Sequence, residues 1–227
     1  SLWSLHPFPS LVKVPGYEDV ALDDVWRSTF DWEEYYHLHG TGIATPEILE
    51  NPEVVKTISI EEKIAFWKEV MRYAKDRNID FYFINWNIFT NGTDGKYGIT
   101  DAIDNEITKD YFRKSIKQLF HSYPDLAGIG LTTGENMGRV SFEEKENWAY
   151  DTYAEAILET AKELPERQFT LIHRQHQTGA KAIAKKFKPV IDAPNVEFLY
   201  SFKYAKAHSL STTEQRYHQG FVKDIGN

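Results

Sequence analysis

The feature that most constrains this chain is a repeated alternation: an amphipathic helical stretch followed closely by a short run of apolar and β-branched residues. Residues 60–77 place Ile60, Ile64, Trp67, Met71 and Ala74 on one helical face, and Ser59 with Glu62 has the spacing of a capping box at its start. IDFYFINWNIF (79–89) follows, dense in aromatic and β-branched residues, as suits a strand covered on both faces. After a loop rich in Gly, Asn, Asp and Thr (90–104), the cycle recurs. Residues 104–123 are helical, with Phe112, Ile116, Leu119 and Phe120 in register, and Pro124 stops them before the strand LAGIGLTTGEN (126–136). Ser141 and Glu144 open a helix to about Leu164, whose buried face carries Tyr150, Tyr153, Ile157, Ala161 and Leu164. FTLIHRQHQ (169–177) is the next strand, 181–191 a shorter helix, and VEFLYSFKYA (196–205) another strand. SLWSLHPF at the front supplies a first strand, and residues 9–58 hold no clean period, which predicts a long excursion with short helical pieces.

Short buried strands separated by helices pair in parallel, because each parallel connection needs a crossover. Five strands and four crossovers fit either an incomplete (β/α)8 TIM-type barrel or an open, doubly wound sheet. No GxGxxG or GxxxxGK[ST] loop opens a helix, which weakens the nucleotide-binding sheet. Polar residues gather where strands end (LHPF, INWN, TTGEN, HRQH, FKYA), as they do on the active face of a barrel. The expected fold is α/β, a partial (β/α)8 barrel. At 227 residues the chain is short of the roughly 250 that a complete barrel needs. It is therefore expected to be one incomplete domain, 1–227, cut from a larger protein.

A net charge of −8 without a basic stripe argues against a nucleic-acid partner; Lys185, Lys186 and Lys188 fit one solvated helix. No apolar stretch approaches bilayer length. No signal peptide is visible and the chain does not open on Met, so its boundaries suggest trimming. The absence of Cys excludes disulfides, thiolate metal sites and a Cys nucleophile. Six Trp, thirteen Tyr and fourteen Phe fill a core first, and can also offer flat faces for sugar rings.

Glu135, in LTTGENM, falls just past a strand end, with Gly128, Gly130 and Gly134 leaving room for a ligand or a close backbone approach. A carboxyl group partly withdrawn from water there is a usable proton donor, which glycosidic cleavage requires on the leaving oxygen. The plainer reading is a Glu that caps the next turn or pairs with Arg139 or Arg174. His173, Arg174, Gln175 and His176 end the following strand. Alternation sends His173 and Gln175 to one face and Arg174 and His176 to the other, a rule that loosens at strand ends. Arg174 suits a carboxylate such as that of a uronic acid. Asn85 and Asn87 can donate to and accept from sugar hydroxyls, and the Trp86 indole can stack on a ring; alternation gives Asn85 and Asn87 one face, which would leave Trp86 to pack against a helix. Asn136, Lys203 and His6 are further candidates at strand ends. Each of these residues has a structural reading of equal standing, as a satisfied group tying loops together. Glu135, His6, His173 and His176 have no close-spaced metal signature, so neither metal nor cofactor is expected.

LAGIGLTTGENM, preceded by YFRKSIKQLFHSYPDLAGIG, resembles secreted bacterial glycoside hydrolases of the α-glucuronidase-like type. SLWSLHPFPSLVKVPGYEDVALDDVW is similar to the loop after the second barrel strand of such proteins. The resemblance covers most of the chain and implies a (β/α)8 domain, exported from the cytoplasm, acting on polysaccharide. It implies that Glu135 is the general acid after the fourth strand. The residues around Glu135 differ from those of authentic α-glucuronidases, which puts uronate specificity in question. No acidic residue ends VEFLYSFKYA, so a partner carboxylate is expected beyond Asn227. The rivals are a metal-dependent sugar isomerase or lyase on the same architecture, and a carbohydrate-binding barrel without catalysis.

Overall fold

The computed structural model describes residues 2–4, 11–20, 24–27, 54–86, 88–90, 93, 95–134, 137–176, 178–202 and 213–226. In chain order the elements are β1 (Leu2–Ser4), β2 (Asp24–Arg27), β3 (Val54–Ile58), α1 (Ile60–Lys75), β4 (Tyr82–Trp86), α2 (Glu106–Ser122) and β5 (Gly128–Thr132). Then come α3 (Phe142–Ala149), a π turn (Tyr150–Ala154), α4 (Glu155–Glu163), β6 (Phe169–Arg174), α5 (Ala180–Lys186), α6 (Lys188–Ile191), β7 (Val196–Ser201) and α7 (Arg216–Ile225).

All five expected strands are present, and they form one parallel sheet in the order β1-β4-β5-β6-β7. The order follows the chain without reversal. A doubly wound sheet reverses at a switch point, so that alternative does not describe this sheet. The helix starts are dictated locally. Ser59 and Glu62, and again Ser141 and Glu144, complete reciprocal capping boxes, and the Asn105 side chain accepts from the backbone of Ile107 and Thr108 at the start of α2.

Register fixes two distinct faces. Phe83, Ile129, Leu171 and Phe198 lie side by side across β4 to β7, and so do Asn85, Leu131, His173 and Tyr200. The helices pack on this face. Trp67 of α1 meets Phe83 edge to face at 5.3 Å between centroids, and Phe120 of α2 meets Phe169 at 5.0 Å. Phe187, between α5 and α6, meets His173 at 4.9 Å. Arg167 ties the end of α2 to the sheet by donating to the carbonyls of Phe120, Tyr123 and Leu126 at 2.7–2.9 Å. Burial of these side chains in one continuous apolar cluster supplies the main driving force for folding.

The opposite face carries three rows: Tyr82, Gly128, Thr170 and Glu197; then Ile84, Gly130, Ile172 and Leu199; then Trp86, Thr132, Arg174 and Ser201. The glycines of β5 serve close packing here. A Cβ on Gly128 would lie 2.2 Å from the Thr170 carbonyl oxygen, and one on Gly130 would lie 2.9 Å from Ile84.

Three features lie outside or modify the periodicity expectations. Within residues 9–58, where no clean period was found, the described residues include an antiparallel pair, β2 with β3. The helix opened by Ser141 is interrupted by the π turn, which inserts an extra residue and shifts the phase of its buried face. A terminal helix, α7, has no counterpart in the periodicity reading.

Candidate functional site at the strand ends

The third row of the opposite face, which carries no helix among the described residues, stands at the carboxyl ends of the strands, where connecting loops build binding sites in parallel α/β folds. It brings together Trp86 and Arg174, both partly exposed, with the buried Thr132 between them. His176, also partly exposed, follows two residues after Arg174. Past the strands the hydrogen bonding continues for one step, from the Thr133 N–H to the Arg174 carbonyl at 3.4 Å and from the Gln175 N–H to the Ser201 carbonyl at 2.7 Å. The Tyr217 hydroxyl of α7 donates to the Gln175 side chain at 3.1 Å.

Asn85 and His173 are not in this row. They were expected to share a mouth with the other candidates, and that placement is corrected: strict alternation persists to the last residue of each strand and turns both side chains into the helix layer. Asn85 is 2% exposed and His173 fully buried. Asn85 lies beside the Tyr153 hydroxyl, whose pKa burial pushes above the ordinary phenol range, with the Asn85 hydrogen bond acting in the other direction. Glu135, Asn136, Asn87, His6 and Lys203 lie outside the described residues.

Beneath the strand ends, on the helix side, is a buried polar cluster that the sequence reading missed. Glu146 of α3 is 1% exposed. Its Oε2 lies 2.7 Å from Nε2 of His173, and its Oε1 accepts from the Thr133 hydroxyl at 3.3 Å. The Thr133 hydroxyl also lies 3.2 Å from that of Thr178. The neighbouring Lys145, likewise buried, donates to the Gly134 carbonyl at 3.1 Å. His173 Nδ1 has no hydrogen-bond partner among the described residues. A proton there would be buried without an acceptor, so the tautomer that satisfies the geometry carries its proton on Nε2 and donates it to Glu146. A signal for Glu146 did exist: it precedes Tyr150 by four residues, placing a carboxylate in phase with the apolar stripe of its helix.

Of the two readings of Gly128 and Gly130, a ligand or a close approach, the structure shows the close approach, by the Thr170 backbone at Gly128 and by Ile84 at Gly130. Among the described residues, no group of three or more His, Asp or Glu is placed to hold a metal ion. Nor is any described helix long and apolar enough to cross a membrane. A cavity of about 830 Å³ lies on the helix layer between α3 and α5–α6, lined by Tyr150, Lys181, Lys185 and Lys186 among others. It is separate from the strand-end row. No family model, no curated protein and no solved structure matches this chain.

Proposed function

We propose that the chain is an arc of a (β/α)8 barrel of the glycoside hydrolase kind, exported from the cytoplasm. It takes an oligosaccharide across the carboxyl tips of its strands and protonates the departing glycosidic oxygen from Glu135. One observation carries this reading. The unreversed order of parallel strands, with the described helices packed on one face, aligns Trp86, Thr132, Arg174 and Ser201 in a row at those tips. A singly wound sheet of this kind curls so that its helix-free face becomes the inside of a barrel. Glu135 follows the end of β5 by three residues in the chain, which supports reading it with the strand tips. In this role the Trp86 indole offers a stacking face for a sugar ring, and Arg174 a planar fork for a substrate carboxylate. The isomerase alternative loses a metal ligand, because His173 is committed to Glu146 inside the helix layer.

The test uses the protein in its native full length, with a panel of neutral and uronate-bearing polysaccharides and aryl glycosides. Release of reducing ends is expected, falling at least about 10²-fold in Glu135→Gln while saccharide affinity persists. Cleavage unchanged by Glu135→Gln overturns the assignment of the acid. Saccharide binding without cleavage, indifferent to that substitution, selects a non-catalytic carbohydrate-binding barrel. Neither binding nor cleavage across the panel removes the carbohydrate reading.

A further inference from the structure

The cluster beneath the strand ends engages the two residues immediately before Glu135 in the chain. Lys145 donates to the Gly134 carbonyl, and Glu146 accepts from the Thr133 hydroxyl. Consecutive residues of α3 thus hold consecutive residues of the β5 exit. The Gly134 carbonyl belongs to the peptide unit that contains the Glu135 nitrogen, and that unit is planar. Holding its oxygen therefore restrains the backbone at Gly134, the residue before Glu135. On the far side, the Gly134 N–H points at the Met137 sulfur at 3.4 Å, with Met137 itself 3% exposed.

Both gripping groups are unusual for their position. Lys145 is 6% exposed and Glu146 is 1% exposed, whereas charged side chains are almost never so buried without a specific partner. Glu146 is in turn held from a second strand by His173 of β6. Gly134 has a φ of +111°, a backbone conformation that residues with a side chain rarely adopt and that glycine permits without imposing.

We propose that Lys145 and Glu146, the latter seated on His173, are positioning residues that clamp the Thr133–Gly134 exit, the stretch of backbone that leads into Glu135. The clamp's catalytic purpose rests on the reading of Glu135 as a proton donor; the clamp itself does not. Two readouts separate these. The first is turnover in the native full-length protein carrying Lys145→Met or Thr133→Val. Misplacement of a reacting group by about an ångström costs about 10²-fold, so kcat is expected to fall about 10- to 100-fold with KM changed less than about threefold. Lys145→Arg, which keeps a donor, recovers part of the loss. The second readout is amide hydrogen exchange over residues 133–140, expected to quicken in both variants while exchange in β4 and β6 is unchanged. Thr133→Val keeps the exchange measurement available if Lys145→Met does not fold. Unchanged exchange overturns the clamp. Quickened exchange with unchanged kcat leaves the hydrolase reading standing and overturns the positioning role. A wild type that cleaves nothing overturns the hydrolase reading and the catalytic purpose with it, and exchange alone then decides whether the clamp exists.

Discussion

Removing one member of the Glu146–His173 pair does not cost the same as removing the other, and the difference follows from which partner is charged. The two side chains are 1% and 0% exposed, and their contact is 2.7 Å long. With its proton on Nε2, His173 is the donor of the pair and the Glu146 carboxylate the acceptor. His173→Leu leaves that carboxylate in the helix layer with the weak 3.3 Å contact from Thr133 as its remaining partner. Orphaning a buried charge costs about 3–5 kcal/mol. Glu146→Leu instead orphans a neutral N–H, at about 1–3 kcal/mol, while Thr133 retains Thr178 at 3.2 Å. The double variant orphans neither group and replaces both with apolar volume beside Phe187, so it is expected to lose less than His173→Leu alone. Urea denaturation of the four proteins near pH 7, with equal m-values, gives the cycle directly. A coupling energy of about 2 kcal/mol or more is expected. Equal costs for the two single variants, or costs that add in the double, would refute the assignment of the proton and the account of the pair.

Two further predictions concern the sheet and its aromatic core. Gly128→Ala puts a methyl group 2.2 Å from the Thr170 carbonyl oxygen, a backbone atom that cannot swing aside; overpacking of this kind costs about 1–3 kcal/mol or more. A lowered denaturation midpoint checks it, and a variant as stable as the parent would mean β5 and β6 are not this close. Burial raises Tyr17, with further help from Asp110, to about 12, and raises Tyr111, Tyr123 and Tyr153 beyond the ordinary phenol range. Groups whose pKa is raised by folding stabilise fully below their unfolded value of about 10, and that contribution is lost as pH climbs through the folded one. Stability is therefore expected to decline above pH of about 10, and absorbance titration at 295 nm is expected to show a late fraction of tyrosines appearing with unfolding. A single reversible phenol transition near pH 10 contradicts this.

How much of the molecule could be read without coordinates depends on how local each cause is. Ser59–Glu62 and Ser141–Glu144 mark helix starts because a capping box closes within four residues. The five strands were legible because composition and flanking breaks suffice to indicate them. The pairing of Asp24–Arg27 with Val54–Ile58 was not, since the two segments are joined across 26 intervening residues and neither has enough length to show a period. The π turn at Tyr150–Ala154 was hidden for a different reason: a one-residue insertion leaves apolar residues at nearly helical spacing on both sides.

The error at Asn85 and His173 has the same physical origin as the success with the strands. Alternation separates His173 from Arg174 without stating which of the two faces the helices cover, because both faces of a parallel strand are lined by apolar residues. The polar ends of β4 and β6 looked like one rim, but they divide between a partly exposed row, Trp86 with Arg174, and a buried layer, Asn85 with His173. What selects the buried side for a histidine is a partner 27 residues earlier in the chain, Glu146, whose own position shows only as a charge in an apolar stripe. Each half of that pair, taken alone, breaks the expected pattern for its element. Together they satisfy it, and they do so directly beneath the strand exit that leads to Glu135. A charge out of place on a helix stripe and a histidine at a strand end are therefore better searched for as one feature than as two, and here that feature joins α3 to β6.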